Sequence, residues 1–155
     1  MKSEIEIQPG KILKTFSKEE TESIEKKWTG VFCKNKQGFN TKAFKWHIFS
    51  GSGYPSTDGE ISRQDYLNQI SVEYIVIGDD HEPAIKTDLK PIESNISDFY
   101  VFPENMAWTM AFTHEEGWLG PYFAKHPKYD ILNAENMKRV ENEWKKLISK
   151  EKGWS

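Results

Sequence analysis

At 155 residues, 37% of them hydrophobic, the chain has the length of one ordinary domain and enough apolar sequence to build a core without staples. A formal net charge of -3 provides no bulk field for nucleic acid or anionic lipid, and a single cysteine, Cys33, excludes an internal disulfide and suits a reducing cytosol. The N-terminal MKSEIEIQPG lacks the apolar core of a secretory signal and no run approaches the roughly 20 apolar residues of a membrane span, so a cytoplasmic protein in one domain, 1–155, is expected.

Within 1–16, Ile5 and Ile7 alternate before a Pro9-Gly10 turn and Ile12-Leu13, which reads as an N-terminal arm or edge strand. Ser17 and Glu20 have capping-box spacing, and Ile24, Trp28, Val31 and Phe32 follow at helical intervals, predicting a helix over Lys18 to Cys33. Cys33 continues that apolar face and reads as a small core residue. Ala43 to Ser50 alternates Phe44, Trp46 and Ile48 against Lys45, His47 and Phe49, the pattern of a strand with Lys45 and His47 facing out. The Gly/Ser/Pro-dense stretch Gly51 to Gly59 lacks the Gly-Lys-Ser/Thr of a phosphate loop and reads as a surface loop.

A short helix is expected from Ser62 to near Ser71 with Tyr66, Leu67 and Ile70 inward. Glu73 to Ile77 and Ala84 to Asp88 form a predicted hairpin about a Gly78-Asp79-Asp80-His81 turn, whose polar tip reads as solvated. Phe99 to Phe102 and Met106 to Thr113 form a second hairpin about Pro103-Glu104-Asn105, with Asn105 as the residue tolerating a left-handed conformation. Period two places Met106, Trp108, Met110, Phe112 and His114 on a core face, and Ala107, Thr109, Ala111, Thr113 and Glu115 on the other. Gly117 and Gly120-Pro121 then break the ladder, so Trp118, Tyr122 and Phe123 are expected in an aromatic loop. Finally, Asn133 caps a helix over 133–150 whose apolar face is Met137, Val140, Trp144, Leu147 and Ile148, expected to pack on the chain's own sheet. The fold class is α+β, a mainly antiparallel sheet of about five strands with two hairpins, packed by an N-terminal, a short central and a C-terminal helix.

Trp46-His47-Ile48-Phe49-Ser50, Trp108-Thr109, Thr113-His114-Glu115 and Gly120-Pro121-Tyr122-Phe123 together resemble a family of small bacterial proteins known only as a domain of unknown function. The resemblance spans roughly Trp28 to Phe123 and implies a grouping without chemistry. Members of that family end soon after the Pro-Tyr-Phe, so the helix from Asn133 is a departure from it.

His114-Glu115 opens like a zinc-protease motif, but Trp118 stands where the second histidine belongs, and the segment reads as a strand end. His47, His114 and Glu115 are the catalytic candidates if their strands are neighbours, as an imidazole pair with a carboxylate. Trp118 and Tyr122 are the candidate ligand-binding rings. No Gly-x-Ser-x-Gly serine is present, and neither a metal site nor a cofactor is expected. Two function classes follow. One is a non-catalytic protein- or ligand-binding domain of the immunity-protein type, favoured by acidic balance and ring content; the other is a small enzyme or metal binder working at the His/Glu site.

Overall fold

The structure is a computed structural model and describes residues 4–33, 45–51, 53–114 and 120–151. In chain order the elements are β1 (Ile7–Gln8), β2 (Ile12–Thr15), α1 (Lys18–Phe32), α2 (His47–Ser50), β3 (Thr57–Asp58), α3 (Gly59–Leu67) and β4 (Tyr74–Gly78), followed by β5 (Ile85–Thr87), β6 (Glu93–Ser94), β7 (Phe99–Phe102), β8 (Trp108–Phe112), β9 (Tyr122–Lys125) and α4 (Tyr129–Glu151). Seven strands make the main sheet in the order β2-β5-β4-β7-β8-β9-β3, and β1 pairs with β6 separately. Every pairing is antiparallel. The class is α+β as expected, with both hairpins in place, but the sheet is wider than the five strands anticipated.

The difference lies at the edges. Short strands β3 and β9 come from stretches that read as a surface loop and an aromatic loop, and β2 takes the edge position that its stretch offered as the alternative to an arm. In the other direction, the strand expected over Ala43 to Ser50 is absent from its described part, 45–50. Trp46 is in the right-handed helical region at φ -67, ψ -12, and a single turn of helix follows. The backbone N–H groups of Lys45 and Trp46 donate to side-chain acceptors, Asp79 Oδ1 at 3.1 Å and Tyr100 Oη at 2.9 Å, rather than to a neighbouring strand. Ile48 and Phe49 are consequently both buried although they are adjacent in sequence.

α1 follows its sequence signals closely. Ser17 Oγ accepts from Glu20 N and Glu20 Oε1 accepts from Ser17 N, both at 3.1 Å, completing the capping box. Its apolar face carries Trp28 and Phe32 into the core, with Cys33 buried just beyond.

The sheet is covered on both faces, so the expected division of β8 into a core face and an outer face is corrected. One layer packs Trp28, Phe32, Trp46, Ile48 and Phe49 against Ile75, Ile77, Tyr100, Phe102, Ala111 and Tyr122. The opposite layer packs Tyr66, Tyr129 and Leu132 against Tyr74, Val76, Val101, Trp108, Met110 and Phe123. Strand residues alternate between the layers with period two, and both alternating sets are apolar because both meet a helix. Met106 departs from this rhythm: it joins the first layer rather than that of Trp108, and it, not Asn105, takes the left-handed conformation of the turn, at φ 59.

Two helices differ from expectation. α3 starts at Gly59 and turns in only Tyr66 of the expected trio, leaving Leu67 and Ile70 about half exposed, because it lies against the narrow edge formed by β3 and β9. α4 starts at Tyr129, so Asn133 lies inside it rather than capping it, and most of its apolar face is exposed. Among the described residues, no helix is long and apolar enough to cross a membrane.

Trp108 is fully buried, with Tyr66, Tyr74 and Phe123 rings around it at 5.7 to 6.1 Å. Its Nε1 meets no acceptor among the described residues. Trp108→Ala is therefore expected to destabilise the fold by about 3–5 kcal/mol, a large-to-small loss at a packed site. Trp108→Phe keeps a ring and forfeits no hydrogen bond, so urea unfolding should place it well below that loss. A change under about 1 kcal/mol for Trp108→Ala would contradict the burial.

Candidate functional site

The site is organised where the open end of the β7–β8 hairpin meets the segment entering α2. Asp98 immediately precedes β7, and His114 lies two residues beyond β8, so the antiparallel pairing that sets Phe99 opposite Phe112 brings them together. Asp98 Oδ1 accepts from the His114 backbone N–H at 3.0 Å and from Trp46 Nε1 at 3.0 Å. His114 Nδ1 lies 2.9 Å from both Asp98 oxygens. The carboxylate side chain is only 8% exposed, whereas that of His114 is 39% exposed. This is a buried carboxylate fixing, through Nδ1, the orientation of a partly exposed imidazole.

A second buried carboxylate lies on the other side of Trp46. Asp79 opens the turn out of β4; its Oδ1 accepts from Lys45 Nζ and from the Lys45 backbone N–H, both at 3.1 Å, and its Oδ2 accepts from the Tyr100 hydroxyl. Tyr100 Oη accepts in turn from the Trp46 backbone N–H at 2.9 Å. Lys45 Nζ also donates to the Gly78 carbonyl at 3.0 Å. Burial raises the Asp79 carboxyl above its ordinary range, against the opposing pull of Lys45 and Tyr100. Burial likewise pushes the Tyr100 phenol well above its usual value, with Asp79 adding to the effect.

His114, Asp98 and Asp79 line an open cleft of about 1210 Å³. Its apolar lining is Ile5, Ile12, Pro83 and Ile96, and Glu4, Asp80 and Glu82 add carboxylates. Among the described residues no lysine or arginine lines it, and no three His, Cys, Asp or Glu side chains are grouped closely enough to hold a metal ion.

The expected residues fare differently. His114 sits at the cleft. His47 lies in α2 rather than on a strand, its ring 4.6 Å from that of Trp46, and it is not among the described lining residues; His114 meets the same indole at 6.2 Å. The two histidines thus share Trp46 as a neighbour. Glu115 and Trp118 lie outside the described residues. Tyr122 belongs to β9, 5% exposed, and packs on Trp46 and Phe49 in the core. Gly120, at φ 86, lets the chain pass close beneath that ring: a Cβ there would stand 3.0 Å from it. Lys45, expected to face out, is 12% exposed and bound to Asp79. Asp98 and Tyr100 went unsuggested as a site, and Asp79, read as part of a solvated turn, has a side chain only 6% exposed; an aspartate at the mouth of each apolar strand run was a signal available to find two of the three.

Asp98→Ala removes the acceptor shared by Trp46 Nε1 and the His114 N–H, so a loss on the order of 2 to 3 kcal/mol is expected in urea unfolding, against under about 1 kcal/mol for His114→Ala. The Asp79 carboxyl should titrate by NMR above its ordinary value of 3.8. A carboxyl raised in the folded state binds its proton more tightly there than when unfolded. Its contribution to stability is present below the unfolded value and is lost as pH rises through the folded midpoint, and Asp79→Asn should remove that slope.

A family model matches residues 11–123, and it describes a domain of unknown function, DUF4275. No curated protein and no solved structure matches the chain.

Proposed function

The chain belongs to this family, which brings no chemistry with it, and we propose that it is a non-catalytic binding domain that receives a cationic segment of a partner protein in the cleft beside His114. The observation that carries this reading is the composition of one continuous lining: isoleucines and a proline for the apolar side of a ligand, and carboxylates with no opposing lysine or arginine among the described residues. Asp79 and Asp98 are already engaged by Lys45 and His114, which leaves Glu4, Asp80 and Glu82 to meet incoming charge. Such a surface favours encounter with a basic partner and disfavours an acidic one. A toxin-neutralising immunity protein is one type of protein that works in this way.

A second reading is favoured by the His114–Asp98 pair itself. A carboxylate held within 2.9 Å of Nδ1 is the arrangement that prepares an imidazole as a general base, here for a small enzyme acting on a ligand in the same cleft.

Fluorescence anisotropy with 15-residue amphipathic peptides, one set carrying lysine and arginine and one carrying glutamate, tests the first reading. The basic set should bind, with affinity falling about tenfold or more as salt rises from low to several hundred millimolar. Asp80→Lys with Glu82→Lys should abolish that binding, and His114→Ala should leave most of it. Equal binding of both sets, or none of either, overturns the cationic-segment reading; turnover of a small ester or amide that is lost in His114→Ala while peptide binding persists establishes the second.

A further inference from the structure

α4 is anchored through its first three turns, among their contacts an ion pair of Arg139 with Glu104 at 3.9 Å. Tyr129 Oη donates to Gln69 Oε1 at 3.0 Å, the Leu132 carbonyl accepts from Asn105 Nδ2 at 2.9 Å, and Asn136, 2% exposed, donates to Asn105 Oδ1 at 3.2 Å. No residue of the helix after Asn136 is buried through Lys150. Yet that half carries a regular apolar pattern. Met137, Val140, Trp144 and Leu147 recur at spacings of three, four and three, the a/d rhythm of a coiled coil, and Met137, Trp144 and Leu147 are 44%, 63% and 56% exposed. An exposed tryptophan in such a stripe is the signature of a surface that is covered in the working state.

The charges on the helix say what covers it. From Tyr129 to Glu143 there are four carboxylates (Asp130, Glu135, Glu141, Glu143) against two cations (Lys138, Arg139), a balance of -2. From Trp144 to Glu151 there are three lysines (145, 146 and 150) against Glu151, a balance of +2. Lys145 pairs along the helix with Glu141 at 3.1 Å and Lys146 with Glu143 at 3.3 Å, and a second copy of the helix running antiparallel sets each half against one of opposite net charge. Parallel pairing would set like charge beside like charge and bring the two globular bodies, each at the N-terminal end of its helix, to the same end. Antiparallel pairing about a two-fold axis near Asn142, which sets Met137 against Leu147 and Val140 against Trp144, keeps them apart and makes the surface self-complementary.

We infer that α4 is a homodimerisation helix, pairing antiparallel with the same helix of a second chain through Met137, Val140, Trp144 and Leu147. The helix lies beyond the family-matched span 11–123, so the device is an addition to the family domain rather than part of it.

Sedimentation equilibrium of the intact chain should give twice 18.1 kDa at high micromolar concentration, dissociating on dilution. Trp144→Glu with Leu147→Glu should raise the dissociation constant at least a hundredfold and yield monomer throughout, with the far-ultraviolet spectrum of a folded protein retained. A wild-type chain monomeric at all concentrations, or a double variant that still dimerises, overturns the inference. Spin labels on Ile131→Cys read the orientation: about 11 residues from the axis at roughly 1.5 Å per residue places two labels about 33 Å apart in the antiparallel dimer. A separation under about 20 Å would mean parallel pairing and would overturn the proposal.

Discussion

The interaction on which the site depends is the double tether of Trp46. Its indole N–H is held by Asp98 and its backbone N–H by Tyr100, which is itself held by Asp79. The residue is 1% exposed, so both donors would be costly to bury without an acceptor, and two carboxylates are buried in supplying them. Neither carboxylate is left with a lone partner: Asp79 has Lys45, and Asp98 has the backbone and ring of His114. Removing one member therefore affects the whole set, as in any buried polar network that is fully satisfied.

That tether joins three parts of the chain that are remote in sequence. The segment entering α2 is drawn onto the end of the sheet, the β4–β5 turn is fixed through Asp79, and the open end of the β7–β8 hairpin is closed by the Asp98–His114 contact. The geometry explains how an exposed imidazole obtains a defined orientation. It also explains why Lys45, a long cation beside an acidic cleft, is withdrawn from it: its ammonium is bound to Asp79 and the Gly78 carbonyl.

The sheet supplies the rigid base. β4, β7 and β8 occupy its middle and are buried along their whole lengths, and rings from both layers pack on them, including Trp28, whose Nε1 donates to Thr109 Oγ1 at 3.0 Å across the sheet–helix interface. A two-sided sheet of this kind holds its ends in place, since neither face is free to flex into solvent. The functional side chains emerge at those ends, from turns and from strand termini, where the backbone can leave the ladder.

Local patterns in the sequence determined the elements whose causes are local. The capping box of Ser17 and Glu20 set the start of α1, and two runs of β-branched and aromatic residues separated by turn formers set both hairpins; the family resemblance was also legible in the Trp-His and Pro-Tyr-Phe motifs. Of the site, His114 was legible as the polar end of an apolar row. Three things were decided only by tertiary structure. Alternation over Ala43 to Ser50 looked like a strand, but the side chains of Asp79 and Tyr100 captured its backbone donors, and those partners are 34 and 54 residues away. The second face of β8 looked like an outer face, because Thr109 and Ala111 are small or polar, until helix and ring neighbours covered it. And the apolar stripe of α4, which by its period belongs against some surface, was left off this chain's own sheet: its first turns are pinned to Asn105 and Gln69, and the rest of the helix extends past them. Periodicity states that a face will be buried; only the arrangement of the remaining chain states what, if anything, is there to bury it.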